Sequence, residues 1–215
     1  MLNLIFKDII VQKRNLLFML LYLIICIFAF RSMPSQAILY VITLTYIFFF
    51  ITGSYSYDEK NKSHLMISSL PITRKEIIIS KYISIIIYNI VSLFVVFIFI
   101  LLAKLLNLPL TTEFFTLNDV INIFTVSLIL GSIMFPIYSK FTVTKSKLLT
   151  FIIYFSFFTF TSSLSSSSKE NTVSITGRFL KLIFNNNLIF LAIVFIIYLL
   201  SMYVSIKIYE SKELN

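Results

Sequence analysis

Apolar residues come in long unbroken runs, separated by short polar stretches that hold most of the charges. A bilayer core about 30 Å thick is crossed by about 20 apolar helical residues, and six stretches approach that length: 16–30, 37–51, 82–103, 120–138, 148–164 and 188–206. The first two are short. Arg14 and Arg31 flank the first and can snorkel to the interfaces, while Ser and Thr beyond Ile51 extend the second. A signal peptide is the rival reading of the first stretch, but Ile27, Phe28, Ala29 and Phe30 offer no small-residue cleavage pattern. The pattern therefore predicts an all-α, polytopic membrane protein: one transmembrane domain over 1–215, with six spans and both termini on one side.

The pieces outside the runs carry their own periodicity. Before the first span, Leu2, Ile5, Phe6, Ile9 and Ile10 share one helical face and Asn3, Lys7 and Arg14 another, which predicts an N-terminal interfacial helix over 1–14. The alternative is that this segment is simply the start of the first span. Between spans 2 and 3, residues 57–81 form the longest connection on the terminal side. Thr73 and Glu76 have capping-box spacing, with Ile72 and Ile77 placed as a hydrophobic staple, so the third helix should begin at Arg74. Pro71 biases Leu70 away from helix and sets off a shorter helix over 59–69, with Asp58 as its N-cap. Leu65, Met66 and Leu70 beside charge make this short helix a docking element for a cytoplasmic partner, or else a second interfacial helix on lipid. On the other side, a Ser-rich tract at 165–168 reads as a linker, and Ile175, Phe179, Leu182 and Ile183 as a small amphipathic helix.

Composition narrows the function. Of 215 residues 59% are apolar and 13% charged, and mean hydropathy is +0.97, far from the roughly 25% charged content of soluble domains. The net charge is +9. Thirteen of the 18 basic residues fall on the terminal side, leaving only Arg31, Lys104, Lys169, Arg178 and Lys181 opposite. By the positive-inside rule both termini are cytoplasmic, and the charge reads as orientation rather than nucleic-acid binding. One cysteine, one histidine and three glycines exclude a disulfide framework, a Cys- or His-rich metal centre and a phosphate-cradling glycine loop. ATP, if used, is bound by another chain.

No ionisable residue lies near the centre of a predicted span, against the buried acid or His relay of an ion-coupled carrier. The uncharged polar residues Tyr40, Thr43 and Tyr46 share one side of span 2, Asn89 and Ser92 sit a turn apart in span 3, and Tyr154 and Thr161 occupy span 5. They join helices by hydrogen bonds, or Tyr40, Thr43, Tyr46 and Asn89 line a lateral cavity for an amphipathic substrate. Pro136, with Gly131 five residues earlier, should kink or end the fourth helix. No catalytic set is assembled within the spans: the acidic pair Asp58 and Glu59 is juxtamembrane and His64 is the single imidazole.

The segment YDEKNKSHLMISSLPITRKEIIISKYIS, residues 57–84, resembles the connection between spans 2 and 3 of ABC-2-type transporter permeases, particularly a small six-span bacterial subfamily similar to the phenol-soluble modulin exporter permeases. The matching positions are Asp58, Glu59 and Lys60, then Ser69, Leu70, Pro71, Ile72, Thr73, Arg74, Glu76 and Ile77, then Lys81 and Tyr82. The resemblance implies that the 59–69 helix is a coupling helix docking on a separate ATP-binding subunit, with Lys62, His64, Leu65 and Met66 joining the motif residues in that contact. It implies a second permease chain, identical or related, with ATP and Mg on the partner ATPase and no cofactor on this chain. It further implies a bacterial plasma membrane and export of amphipathic peptides or hydrophobic small molecules. The alternative function is a non-transporting assembly or sensor subunit that binds a cytoplasmic partner through the 57–81 loop.

Overall fold

The computed structural model describes residues 2–29, 35–61, 73–105, 116–166 and 187–211. These residues form six helices and, among themselves, no strand: α1 (Leu2–Ala29), α2 (Ser35–Lys60), α3 (Arg74–Leu105), α4 (Leu117–Lys140), α5 (Val143–Ser166) and α6 (Asn187–Glu210). One helix occupies each apolar stretch. The shortest have 24 residues, about 36 Å at 1.5 Å per residue, against a hydrocarbon core of about 30 Å. Among the described residues, Arg74–Ile98, Leu117–Lys140 and Phe190–Glu210 are both long and apolar enough to cross a membrane.

Burial runs opposite to that of a water-soluble bundle. On α3 the large apolar residues Ile83, Ile86, Ile90, Phe94 and Phe97 follow helical spacing along an exposed stripe, while Ser80, Lys81, Ser84, Asn89 and Ser92 are buried. Leu148, Phe151, Ile152 and Phe155 make a similar outer stripe on α5, and Ile193, Ile196, Ile197 and Leu200 on α6. Apolar side chains facing outward and polar ones inward fit a hydrocarbon solvent, in which an unsatisfied polar group is costly and another side chain is its partner.

The interior lies where α2, α3, α4 and α6 meet, around Ile47, Ile51, Tyr82, Ile85, Met134, Phe135 and Tyr198. The most extensive pairing is α4 on α6; α1 packs on α2 and α3, and α5 on α2 and α4. Gly131 permits the close approach of α3 and α6 to α4, because a Cβ there would clash with Ile85 Cδ1 and stand 3.4 Å from the Tyr198 ring. Pro136 does not end α4, which runs on to Lys140. A proline removes the amide that would bond the carbonyl four residues back, here that of Ser132, and Ser201 Oγ on α6 donates to that carbonyl at 2.6 Å. A hydroxyl from the neighbouring helix thus replaces the missing amide.

Two local expectations differ from the structure. Of the interfacial helix expected over 1–14, residues 2–14 are continuous with the rest of α1 and not set off from it. Its buried face is Leu4, Ile5, Asp8 and Gln12, whereas Phe6 and Ile10 of the expected apolar face are exposed. Asp58 is not an N-cap, since α2 continues through Lys60 and places Asp58 and Glu59 in its last turn. The start of α3 at Arg74 agrees with expectation: Thr73 Oγ1 accepts from the Glu76 amide at 3.3 Å, and Glu76 Oε2 accepts from the Thr73 amide at 2.9 Å. A second capping box, Thr116 with Asp119, opens α4; the T-x-x-D spacing in the sequence signals it, though Asp is one methylene shorter than the usual Glu. Residues 62–69 of the short helix expected over 59–69, Pro71 and the amphipathic segment expected at 175–183 lie outside the described residues.

Candidate functional site

The last turn of α2 and the first two turns of α3 bracket the 61–73 connection, and both are anchored by charge. Lys81, two turns into α3, is almost completely buried, with its ammonium 3.1 Å from Asp8 Oδ1 on α1 and 2.5 Å from Asp58 Oδ2 on α2. It also donates to Ser54 Oγ and stands 4.9 Å over the centre of the Tyr55 ring. Lys7 lies 2.6 Å from Asp58 Oδ1 and 3.5 Å from Asp8 Oδ1. Two cations and two anions from three helices thus form a charge-balanced cluster, the condition under which ions survive burial. Asp8 Oδ2 has no hydrogen-bond partner among the described residues. Gln12, one turn beyond Asp8, donates to the Phe50 carbonyl at 2.7 Å and closes α1 against α2. Asp58 lies beyond the apolar stretch of α2. Burial alone would raise its carboxyl, but the Lys81 and Lys7 ammoniums outweigh that and hold it below the ordinary carboxylate range.

Glu59 points the other way. Its carboxylate accepts from the Val143 amide at 2.6 Å and from Thr144 Oγ1 at 2.7 Å, satisfying an orphan donor at the N-terminus of α5, where negative charge is favoured. On the exit side, Arg74 donates to the Glu210 carbonyl at 2.9 Å, joining α3 to the end of α6. Consecutive acidic residues thus tie the entry to the loop onto α1, α3 and α5, and the exit is tied to α6.

Of the residues singled out from sequence, Asp58, Glu59, Thr73, Arg74 and Glu76 are placed with intramolecular partners, and Lys60 is exposed. Lys62, His64, Leu65, Met66, Ser69, Leu70 and Pro71 lie outside the described residues. Thr43, Tyr46 and Asn89 are all buried inside the bundle; Asn89 Nδ2 donates to the Ile85 carbonyl at 3.0 Å within its own helix. Tyr40 is placed only by its position in α2. Polar joining of helices is visible at Thr45, whose hydroxyl meets Tyr154 on α5 at 2.5 Å and Tyr22 on α1 at 3.1 Å. It is visible again at Tyr82, whose hydroxyl lies 2.8 Å from both Ser201 and Ser205 on α6. Asp8 and Ser201 were not foreseen; the only sequence signal for Asp8 was an acid one turn before Gln12 in an otherwise apolar-rich helix. Among the described residues no group of three or more His, Cys, Asp or Glu side chains suits a metal ion.

Long helices with apolar exteriors, whose polar side chains are turned into the bundle beside an apolar core, fit a membrane-embedded helical bundle. The chain belongs to the ABC-2 family of transporter proteins, whose family pattern matches residues 3–210. As such it is a permease component of an ABC transporter, the transmembrane part of that machinery. No curated protein and no solved structure matches the chain.

Proposed function

We propose that this chain is the membrane-spanning half of an ATP-driven exporter that couples to a separate ATP-binding subunit through the connection between α2 and α3. The observation that carries the reading is the anchoring of both ends of that connection: Asp58 and Glu59 fix its entry to three helices, and Thr73, Glu76 and Arg74 fix its exit. A loop held this firmly passes displacement to the bundle. The carboxylates of Asp58 and Glu59 are engaged within the chain, so contact with the ATPase falls to Lys60, Lys62, His64, Leu65, Met66, Ser69 and Leu70 as a coupling helix. ATP and Mg belong to the ATPase. A second permease chain completes the assembly, which sits with six spans and both termini cytoplasmic in a bacterial plasma membrane. Amphipathic peptides or hydrophobic small molecules, moved outward, are the cargo that the resemblance of residues 57–84 to the phenol-soluble modulin exporter permeases implies.

Co-purification with the product of the adjacent reading frame tests this. A stable complex with a P-loop ATPase, lost on Leu70→Asp while membrane insertion persists, is the expected result. A neighbour without a nucleotide-binding motif, or a complex indifferent to Leu70→Asp, sinks the reading and favours an assembly or sensor subunit. A cysteine at Ser166 should label from outside intact cells; labelling only after permeabilisation overturns the orientation.

A further inference from the structure

The outer face of α1 and α2 holds an open groove of about 690 Å³ that none of the interactions above uses. Its deep wall is apolar and exposed: Phe18, Leu21 and Ile25 of α1 and Phe49 of α2. Toward the end where the N-terminus and the 61–73 connection lie, the lining changes to Ser56, Tyr57 and Lys60. A shallower hollow shares Tyr57 and adds Lys13. Eleven residues of continuous helix separate Phe49 from Lys60, about 16 Å, against about 15 Å for half of a 30 Å hydrocarbon core. From Phe49 to its polar end the groove is therefore about one leaflet long, with Lys60 at that end and Lys13 in the adjoining hollow that shares Tyr57. Thr52 leaves the wall dry, because its hydroxyl turns back on the Phe48 and Phe49 carbonyls. Lys7 and Lys81 are committed to Asp8 and Asp58, whereas neither Lys13 nor Lys60 has an ion pair among the described residues.

We propose that this groove binds one anionic phospholipid from the leaflet on the side of the chain termini. Its acyl chain lies along Phe18, Leu21 and Phe49, and its phosphate lies between Lys13 and Lys60. Charge selects this occupant. A zwitterionic lipid would fill the wall equally, but its own cation offsets its phosphate beside the two ammoniums, whereas an anionic lipid keeps its net charge. The site needs only a bilayer around the bundle but shares Lys60 with the proposed ATPase contact, so it is tested on the purified chain, where no ATPase competes for that lysine.

Native mass spectrometry of the purified chain with phosphatidylglycerol and phosphatidylcholine of matched acyl chains tests it. One lysine near an anionic lipid surface is worth about fivefold in affinity. Lys13→Gln and Lys60→Gln should thus each lower the preference for phosphatidylglycerol about fivefold, and the pair should nearly erase it while phosphatidylcholine retention is unchanged. Gly53→Leu, which puts a side chain into the groove, should weaken both lipids alike. All three positions lie on the outer face, and an unchanged unfolding midpoint verifies the fold. Equal binding of the two lipids by the parent protein overturns the proposal, as does full preference in the double-lysine variant. So does efficient disulfide cross-linking of two copies through Leu21→Cys and Phe49→Cys that added phosphatidylglycerol fails to suppress; that outcome would give the groove to a second chain.

Discussion

Replacing Lys81 by Met keeps the length of the side chain and removes the cation that holds α1, α2 and α3 together. The Lys81 and Asp8 side chains are 6% and 2% exposed, so water cannot take over the lost interaction. After the substitution Asp8 retains, among the described residues, only Lys7 at 3.5 Å, and its Oδ2 has no hydrogen-bond partner among them even in the intact cluster. Removing one partner of a buried ion pair costs about 3–5 kcal/mol. Asp58 softens the loss, being 24% exposed and keeping Lys7 at 2.6 Å, which places the expected destabilisation near the lower bound, about 3 kcal/mol. Asp8→Asn should cost less, since Lys81 then still faces Asp58. The double variant, Asp8→Asn with Lys81→Met, should be more stable than the sum of the single losses by at least about 1 kcal/mol, the range found for residues in direct contact. Denaturant unfolding of the four proteins in micelles measures all three quantities. A Lys81→Met loss under about 0.5 kcal/mol, the scale of an ordinary surface substitution, or strict additivity in the cycle, would show that the cluster is solvated and refute the reasoning.

Three further perturbations probe the packing around it. Ser201→Ala leaves the Ser132 carbonyl unpaired beside Pro136 and should destabilise by about 1–3 kcal/mol; in a Pro136→Ala background, where the amide is restored, the same change should cost markedly less, and an equal cost in both backgrounds would separate Ser201 from the proline. Gly131→Ala drives a methyl against Ile85 Cδ1; the overpacking cost of about 1–3 kcal/mol is offset by about 1 kcal/mol of helix propensity, and the net loss should be recovered by Ile85→Val, which removes the clashing carbon; no recovery would place the strain elsewhere. Thr73→Ala breaks the capping box, so amide exchange in the first turn of α3 should quicken while the Ile85 to Asn89 region is unchanged, and uniform exchange along the helix would contradict a local cap.

What the sequence made legible was whatever depends on near neighbours. Thr73 and Glu76 are three residues apart, so their capping box and the start of α3 could be read from spacing alone. The six helices were legible because an apolar run of bilayer length has few alternative fates. The contacts of Asp58 were not, because Lys7 is 51 residues away and Lys81 is 23, and no periodicity connects them. The inner face of α1 was not legible for a physical reason. Its apolar side was read as lying on lipid, and Phe6 and Ile10 do face outward, but in lipid the polar side packs inward, and spacing alone gives no sign that Asp8 and Gln12 find partners there. The same inversion hides Ser201, an unremarkable polar residue until Ser132 is found to need a donor.

Asp58 and Glu59 acquire their meaning together from this arrangement. They are adjacent in α2, so their side chains diverge by about 100° around the helix, and the two carboxylates reach partners on opposite flanks: Lys7 and Lys81 on one, the α5 N-terminus on the other. Because the two residues are rigidly joined by the helix, a force that rotates or tilts the last turn of α2 strains both sets of contacts at once. A single acid would bind one neighbour and leave the other free to lag. Under the proposed coupling role, a push on the 61–73 connection would then be shared by α1, α3 and α5 before it reaches the uncharged interior, where single hydroxyl bonds such as Tyr82 to Ser205 are weaker joints than buried ion pairs. Movement should therefore develop where the α4 and α6 pair, packed most extensively on each other, meets the other helices, with the charged end turning as one body. Cross-links between α1 and α2 near Lys7 and Asp58 should persist through turnover, whereas cross-links between α3 and α6 near Tyr82 and Ser205 should change yield; the reverse pattern would place the flexible joint at the charged end instead.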